Sequence, residues 1–253
     1  MKCSEIMDVC RKLAPEDCAC DWDNPGLLAG RSDKEVKKIY IALDATDQVV
    51  EAAIGVGADM LLTHHPLIFK AIKKVNDQNF ITRRLVKLIQ ADISYYAMHT
   101  NYDVMGMAEL AADMLDLKDR KVLEEVLDGE GIGRVGDLPR SMTLEECANF
   151  VKGRFGLPNV KIFGEPEKQV QRAAICPGSG KSEAKPALSM GAEVYITGDI
   201  DHHTGIDMAD CGMAIIDAGH YGVEHIYIAD MEHFLKENCP ELRVYTAPVK
   251  QPF

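Results

Sequence analysis

Short apolar runs alternate with amphipathic stretches along most of this 253-residue chain, and that alternation leaves few folds open. Ile39–Leu43, Asp59–Thr63 and Asp92–Met98 read as short buried strands. Between them, Val49, Val50, Ala53 and Ile54 form one helical face, and Phe80, Leu85, Leu88 and Ile89 form another. The second half repeats the pattern. Val160–Phe163, Val170–Cys176, Glu193–Thr197, Met213–Asp217 and Leu242–Tyr245 read as strands, and 182–190, 203–211 and 221–236 as helices. Thr143 and Glu146 fit a capping box that opens a further helix. Strands separated by helices predict an α/β fold with mixed, largely parallel sheets. Residues 117–140, rich in Lys and Glu and then in Gly, fit hairpin-like strands or a connection, and a soft boundary falls near residue 127. The expected lobes are 1–127 and 128–253.

Four of these strands end in histidine or acid: His64 with His65, His99 with Asp103, Asp199 with His202 and His203, and His220. Ligand sites in α/β sheets gather beyond the carboxyl ends of strands. A histidine pair at a strand tip is either a set of ligands or a polar cap where a core strand meets water. Asp103 also suits the cap of a following helix, and Glu224 a helical first turn. Recurrence at four strand ends favours a metal centre. Neighbouring side chains on a strand point to opposite faces, so His64 and His65 are expected to serve one ion each. His220 and Glu224, four apart at a helix start, share one face.

Three imidazoles and two carboxylates (His64, His65, Asp103, His220 and Glu224) are too many for one catalytic zinc, which keeps three protein ligands and an open position. They suit two divalent ions. Mixed nitrogen and oxygen donors admit Zn, Fe, Mn, Ni or Co. Such a pair favours hydrolysis of phosphate esters, amides or heterocyclic C–N bonds. His99, His202 and His203 are then candidates for orienting a ligand, contacting substrate or moving a proton.

The segment Pro177–Ser182 resembles a phosphate-binding loop but lacks its first glycine, because Ile175 stands there. A tight turn is the expected reading, with anion contact as the alternative. Trp22, the only tryptophan, lies beside the turn Asp23–Gly26 and reads as a packing anchor. The eight cysteines include no C-x-x-C pair and read as thiols. The net charge of −12 disfavours a nucleic-acid backbone as partner. No apolar run approaches the roughly 20 residues that span a bilayer. Residues 1–8 lack a secretory apolar region, so a cytoplasmic location is expected.

Six ordered motifs carry a resemblance: Asp21–Leu27, Leu61–Pro66, His99–Asp103, Cys176–Ser182, Ile196–His203 and Gly219–Glu224. Together they resemble the NIF-three-like dinuclear metal centre proteins, also labelled GTP cyclohydrolase 1 type 2 homologues. The resemblance spans nearly the whole chain, and Pro25 is its one visible departure. It implies two facing α/β lobes with a metal pair between them, His64, His65 and Asp103 coming from the first and His220 and Glu224 from the second. It also implies a ring-shaped homohexamer, and water attack by a metal-bridging hydroxide on the imidazole ring of GTP or a similar phosphorylated small molecule. A metal-binding or metal-handling protein without turnover is the competing reading.

Overall fold

The computed structural model describes residues 1–250. Residues 251–253, the end of the expected second lobe, lie outside the described residues. Among the described residues, eleven strands run in chain order: β1 (Gly26–Ala29), β2 (Lys38–Ala42), β3 (Met60–Thr63), β4 (Ser94–Ala97), β5 (Lys118–Leu127), β6 (Glu130–Thr143), β7 (Lys161–Phe163), β8 (Gln169–Ser179), β9 (Val194–Gly198), β10 (Ala214–Asp217) and β11 (Arg243–Thr246). They form two mixed sheets, ordered β1-β4-β3-β2-β11 and β5-β6-β8-β9-β10-β7. The chain divides into one compact unit of residues 1–102 with 227–250, and a second of residues 103–226. This division differs from the expected boundary near 127. Residues 118–143 form a hairpin inside the second sheet, and β11 pairs in parallel with β2, returning the chain's end to the first sheet.

In the first unit, β2, β3 and β4 are parallel neighbours, joined by helices Asp47–Gly55 and Phe80–Gln90. Both helices start where a polar side chain satisfies an unpaired backbone donor: Thr46 accepts from Val49 N, and Asn79 from Ile81 N. Every residue of β3 and β4 is buried, which is why these strands read as continuous apolar runs. Val50, Ala53 and Leu88 from the helices pack with Tyr40, Leu61 and Tyr95 from the sheet. Burying each large aliphatic side chain contributes about 1.5–3 kcal/mol. The register pairs Ala42 with Thr63 and Thr63 with Ala97. Asp44, His64, His65 and His99 therefore leave the sheet along one edge.

In the second unit, β8, β9 and β10 are parallel, flanked by antiparallel β6 and β7. The predicted capping box forms, with Thr143 Oγ1 and the Glu146 carboxylate each accepting from the other's backbone N–H. Its helix, Leu144–Phe155, ends on Gly156 at φ +64°, a left-handed conformation that costs glycine little. Ser179 pairs with Gly198, and Thr197 with Asp217. That register brings Gly178, Asp199 and Gly219–His220 to a common edge. No helix of the described residues is long and apolar enough to cross a membrane.

Candidate metal centre

At the first unit's edge, His64 is fully buried and His65 partly so, with ring centroids 4.9 Å apart. The pair follows β3, which ends at Thr63. His99 joins them, its ring 5.3 Å from His64 and 5.6 Å from His65. One ring nitrogen from each of the three lies within 4.8 Å of the others.

Each of these imidazoles is oriented through its Nδ1. His64 Nδ1–H donates to the Met98 carbonyl at 2.8 Å, His65 to the Asp44 carboxylate at 2.8 Å, and His99 to Asp23 at 2.7 Å. An oxygen acceptor at Nδ1 makes Nε2 the nitrogen that carries the lone pair, the usual arrangement behind a metal-binding histidine. Asp23 also accepts from the backbone and hydroxyl of Thr100. Burial by itself raises the Asp23 carboxyl, but the His99 and Thr100 hydrogen bonds outweigh it and hold it at about 2.

The second unit holds a group of its own: Asp103, His220 and Glu224. His220 opens the helical turn His220–Glu224, as its spacing predicts, and places Nε2 3.0 Å from Glu224 Oε2. Its Nδ1 donates to Asp199 at 2.8 Å. With Nδ1 so engaged, Nε2 faces the Glu224 carboxylate oxygen and shares a proton with it, or, in a neutral ring, directs its lone pair toward a metal ion. Burial opposes charging this ring, yet Glu224 and then Asp199 raise it to about 9. Asp103 begins a π-helical turn, Asp103–Met107, rather than simply capping a helix; such turns recur at functional sites. The buried Cys176 thiol is pushed well up by burial, then by Glu183, and further by both Asp103 and Glu224. Asp103 and Glu224 therefore act on the same thiol.

The glycine-rich loop serves this site by close approach. A Cβ on Gly178 (φ +81°) would lie 2.4 Å from Glu224 Oε1, and one on Gly198 would meet the His220 backbone N at 2.4 Å. Gly180 N donates to Thr197 Oγ1 at 3.0 Å, and Tyr195 donates to the Gly180 carbonyl at 2.8 Å. Pro177–Ser179 continue β8 and the backbone at Gly180 is tied to β9, so the expected turn is confined to residues 181–183. His202 and His203 are exposed at the start of helix His202–Asp210, ring against ring, and join no candidate metal-holding group among the described residues.

Asp44, Asp23 and Asp199 orient three of the histidines. Asp199 follows β9 directly and Asp44 lies two residues beyond β2, so the strand-end rule that found the histidines could have found Asp44 too. Asp23 lies 76 residues from His99 and has no local signal.

A mixed α/β fold with imidazoles and carboxylates held at the carboxyl ends of parallel strands defines a protein able to hold a metal ion. The chain belongs to the Duf34/NIF3 (NGG1p interacting factor 3) family, whose model matches residues 1–252. It is 34% identical over 243 residues to a Streptococcus pneumoniae protein named GTP cyclohydrolase 1 type 2 homolog, covering 94% of this chain and 91% of that one. Among solved structures, a hypothetical protein of Staphylococcus aureus is similar at TM-score 0.89 and 29% identity, covering 100% of this chain and 98% of that one. Reduced HcgD from Methanocaldococcus jannaschii is similar at TM-score 0.86 and 32% identity, covering 97% of each chain.

Proposed function

We propose that this protein is a metal-dependent hydrolase of a nucleotide or similar phosphorylated small molecule, with two divalent ions held by His64, His65, Asp103, His220 and Glu224. The observation that carries the reading is the shared orientation of His64, His65 and His220, each donating Nδ1–H to an oxygen and so directing lone-pair character to Nε2. The donor set is borderline nitrogen and hard oxygen, which suits Zn, Fe, Mn, Ni or Co. When bound, such ions lower the pKa of a water and clamp a substrate oxygen.

The chain's own groups do the rest. The Met98 carbonyl, Asp44 and Asp199 fix the ligand rings before any ion arrives, so little ordering remains to be done on binding. His99, held by Asp23, is positioned to carry a proton at Nε2 beside the histidine pair. His202 and His203 are proposed as more distant substrate contacts. The relatives' names direct attention to GTP as the first substrate to try. A homohexamer and a cytoplasmic location belong to the same reading, and light scattering and cell fractionation test them.

The test is a screen of protein loaded separately with Zn, Mn, Fe, Co and Ni against GTP and a panel of phosphoesters. Turnover is expected with at least one pairing and is lost in His65→Ala and Glu224→Ala. Metal uptake with no turnover across the panel would instead support a metal-handling protein.

A further inference from the structure

Trp22 was expected to anchor the core, but it is 60% exposed. Phe69, also exposed, lies 5.6 Å from it between ring centroids, the planes inclined at 45°. Both rings meet the edge of His99, Trp22 at 6.0 Å and Phe69 at 6.1 Å. Two large aromatic rings open to water beside a histidine cluster gain little from burial, so folding alone does not account for them.

Nor are they loosely hung. Trp22 adjoins Asp23, which is tied to His99, Thr100 and the Asn24 backbone. The Phe69 segment is fixed where the Asn24 side-chain amide donates to the Ile68 carbonyl at 2.6 Å. Leu67 N donates to the Tyr95 hydroxyl at 2.7 Å. The two side chains are thus flanked by hydrogen-bonded backbone while they themselves stay exposed. Lys70, Lys73 and Lys74 follow in the same segment, all exposed, on a chain whose net charge is −12.

We infer that Trp22 and Phe69 form a stacking corner that recognises the planar heteroaromatic ring of an anionic ligand and delivers it beside His99, with the neighbouring lysines meeting its phosphates. This rests on the hydrolase reading and deepens it by assigning ring recognition to named residues. Aromatic faces accept any flat base, and cationic side chains beside them supply affinity for phosphate.

Trp22 is the only tryptophan, so its fluorescence reports directly on the corner. Metal-loaded protein is titrated with GTP and with ATP, then with tripolyphosphate and ribose 5-phosphate, which lack the ring. Saturable quenching is expected from a ring-bearing nucleotide and none from the ring-free anions. Phe69→Leu keeps the reporter and is expected to weaken binding about tenfold, the order of loss when one stacking ring is removed. Trp22→Leu, followed by calorimetry, is expected to do at least as much, with metal content and molecular mass unchanged. Equal quenching by tripolyphosphate, no quenching by either nucleotide, or wild-type affinity in both variants would overturn the inference. A change in mass without a change in binding would assign the rings to a protein contact instead. Metal content, measured on the same samples, tests the hydrolase reading separately: loss of the ions sinks that reading, whereas full loading without ring binding sinks only the corner.

Discussion

Gly178 leaves room for Glu224: a Cβ on that glycine would lie 2.4 Å from the carboxylate Oε1 and 3.8 Å from His220 Nε2. Gly178→Ala is therefore expected to displace Glu224 and lower the metal content of purified protein. The left-handed backbone at φ +81° adds about 1–2 kcal/mol of strain, read as a lower melting temperature. Unchanged metal content would mean that Glu224 relaxes without consequence.

Asp23 gives a pH signature. Its folded carboxyl, at about 2, lies below the ordinary value of 3.8. A lowered folded value means the unfolded chain takes up the proton first as pH falls. The stabilisation, on the order of 2 kcal/mol, is present above the ordinary value and is lost as pH drops toward 2. Denaturation of wild type and Asp23→Asn should differ most near neutral pH and converge on acidification. A gap that stays constant down to pH 3 would contradict this account.

Arg134 is 3% exposed and is held by Glu109, by Glu130 at 3.2 Å, and by the Gly131 and Gly133 carbonyls. Glu109→Ala leaves a buried guanidinium short of one carboxylate. Because Glu109 is itself partly exposed, the expected cost is about 2 kcal/mol rather than the full penalty for breaking a buried pair. Adding Arg134→Met should cost less than additivity predicts, which a double-mutant cycle measures.

The eight cysteines form no disulfide, and Cys211 alone among them is exposed. Burial pushes Cys10 and Cys147 up to about 12. A thiol reagent under native conditions should titrate one cysteine quickly, Cys18 and Cys20 slowly, and all eight only after denaturation. Rapid labelling of Cys147 would show that the second unit opens readily.

The strand ends were legible because a buried strand must stop where polar side chains begin; His64, Asp199 and His220 mark those stops in the chain itself. The His220–Glu224 pair was legible because helical spacing alone puts both on one face. What the sequence hid was longer in range. The Asp23–His99 hydrogen bond joins residues with no periodic relation, and the return of β11 to β2 depends on register across more than 200 residues. Trp22 was misread because apolar character predicts burial on average, whereas its exposure is set by neighbours that tie down the backbone and leave the ring outside. Gly178 looked like a fragment of a phosphate loop, but its need for a missing side chain comes from Glu224, 46 positions away.

The most direct test of the central claim is elemental analysis of purified protein beside His65→Ala and Glu224→Ala. The account predicts about two divalent ions per wild-type chain, reduced in each variant with the fold retained by circular dichroism. Wild-type protein holding less than one ion per chain after incubation with each candidate metal would contradict it.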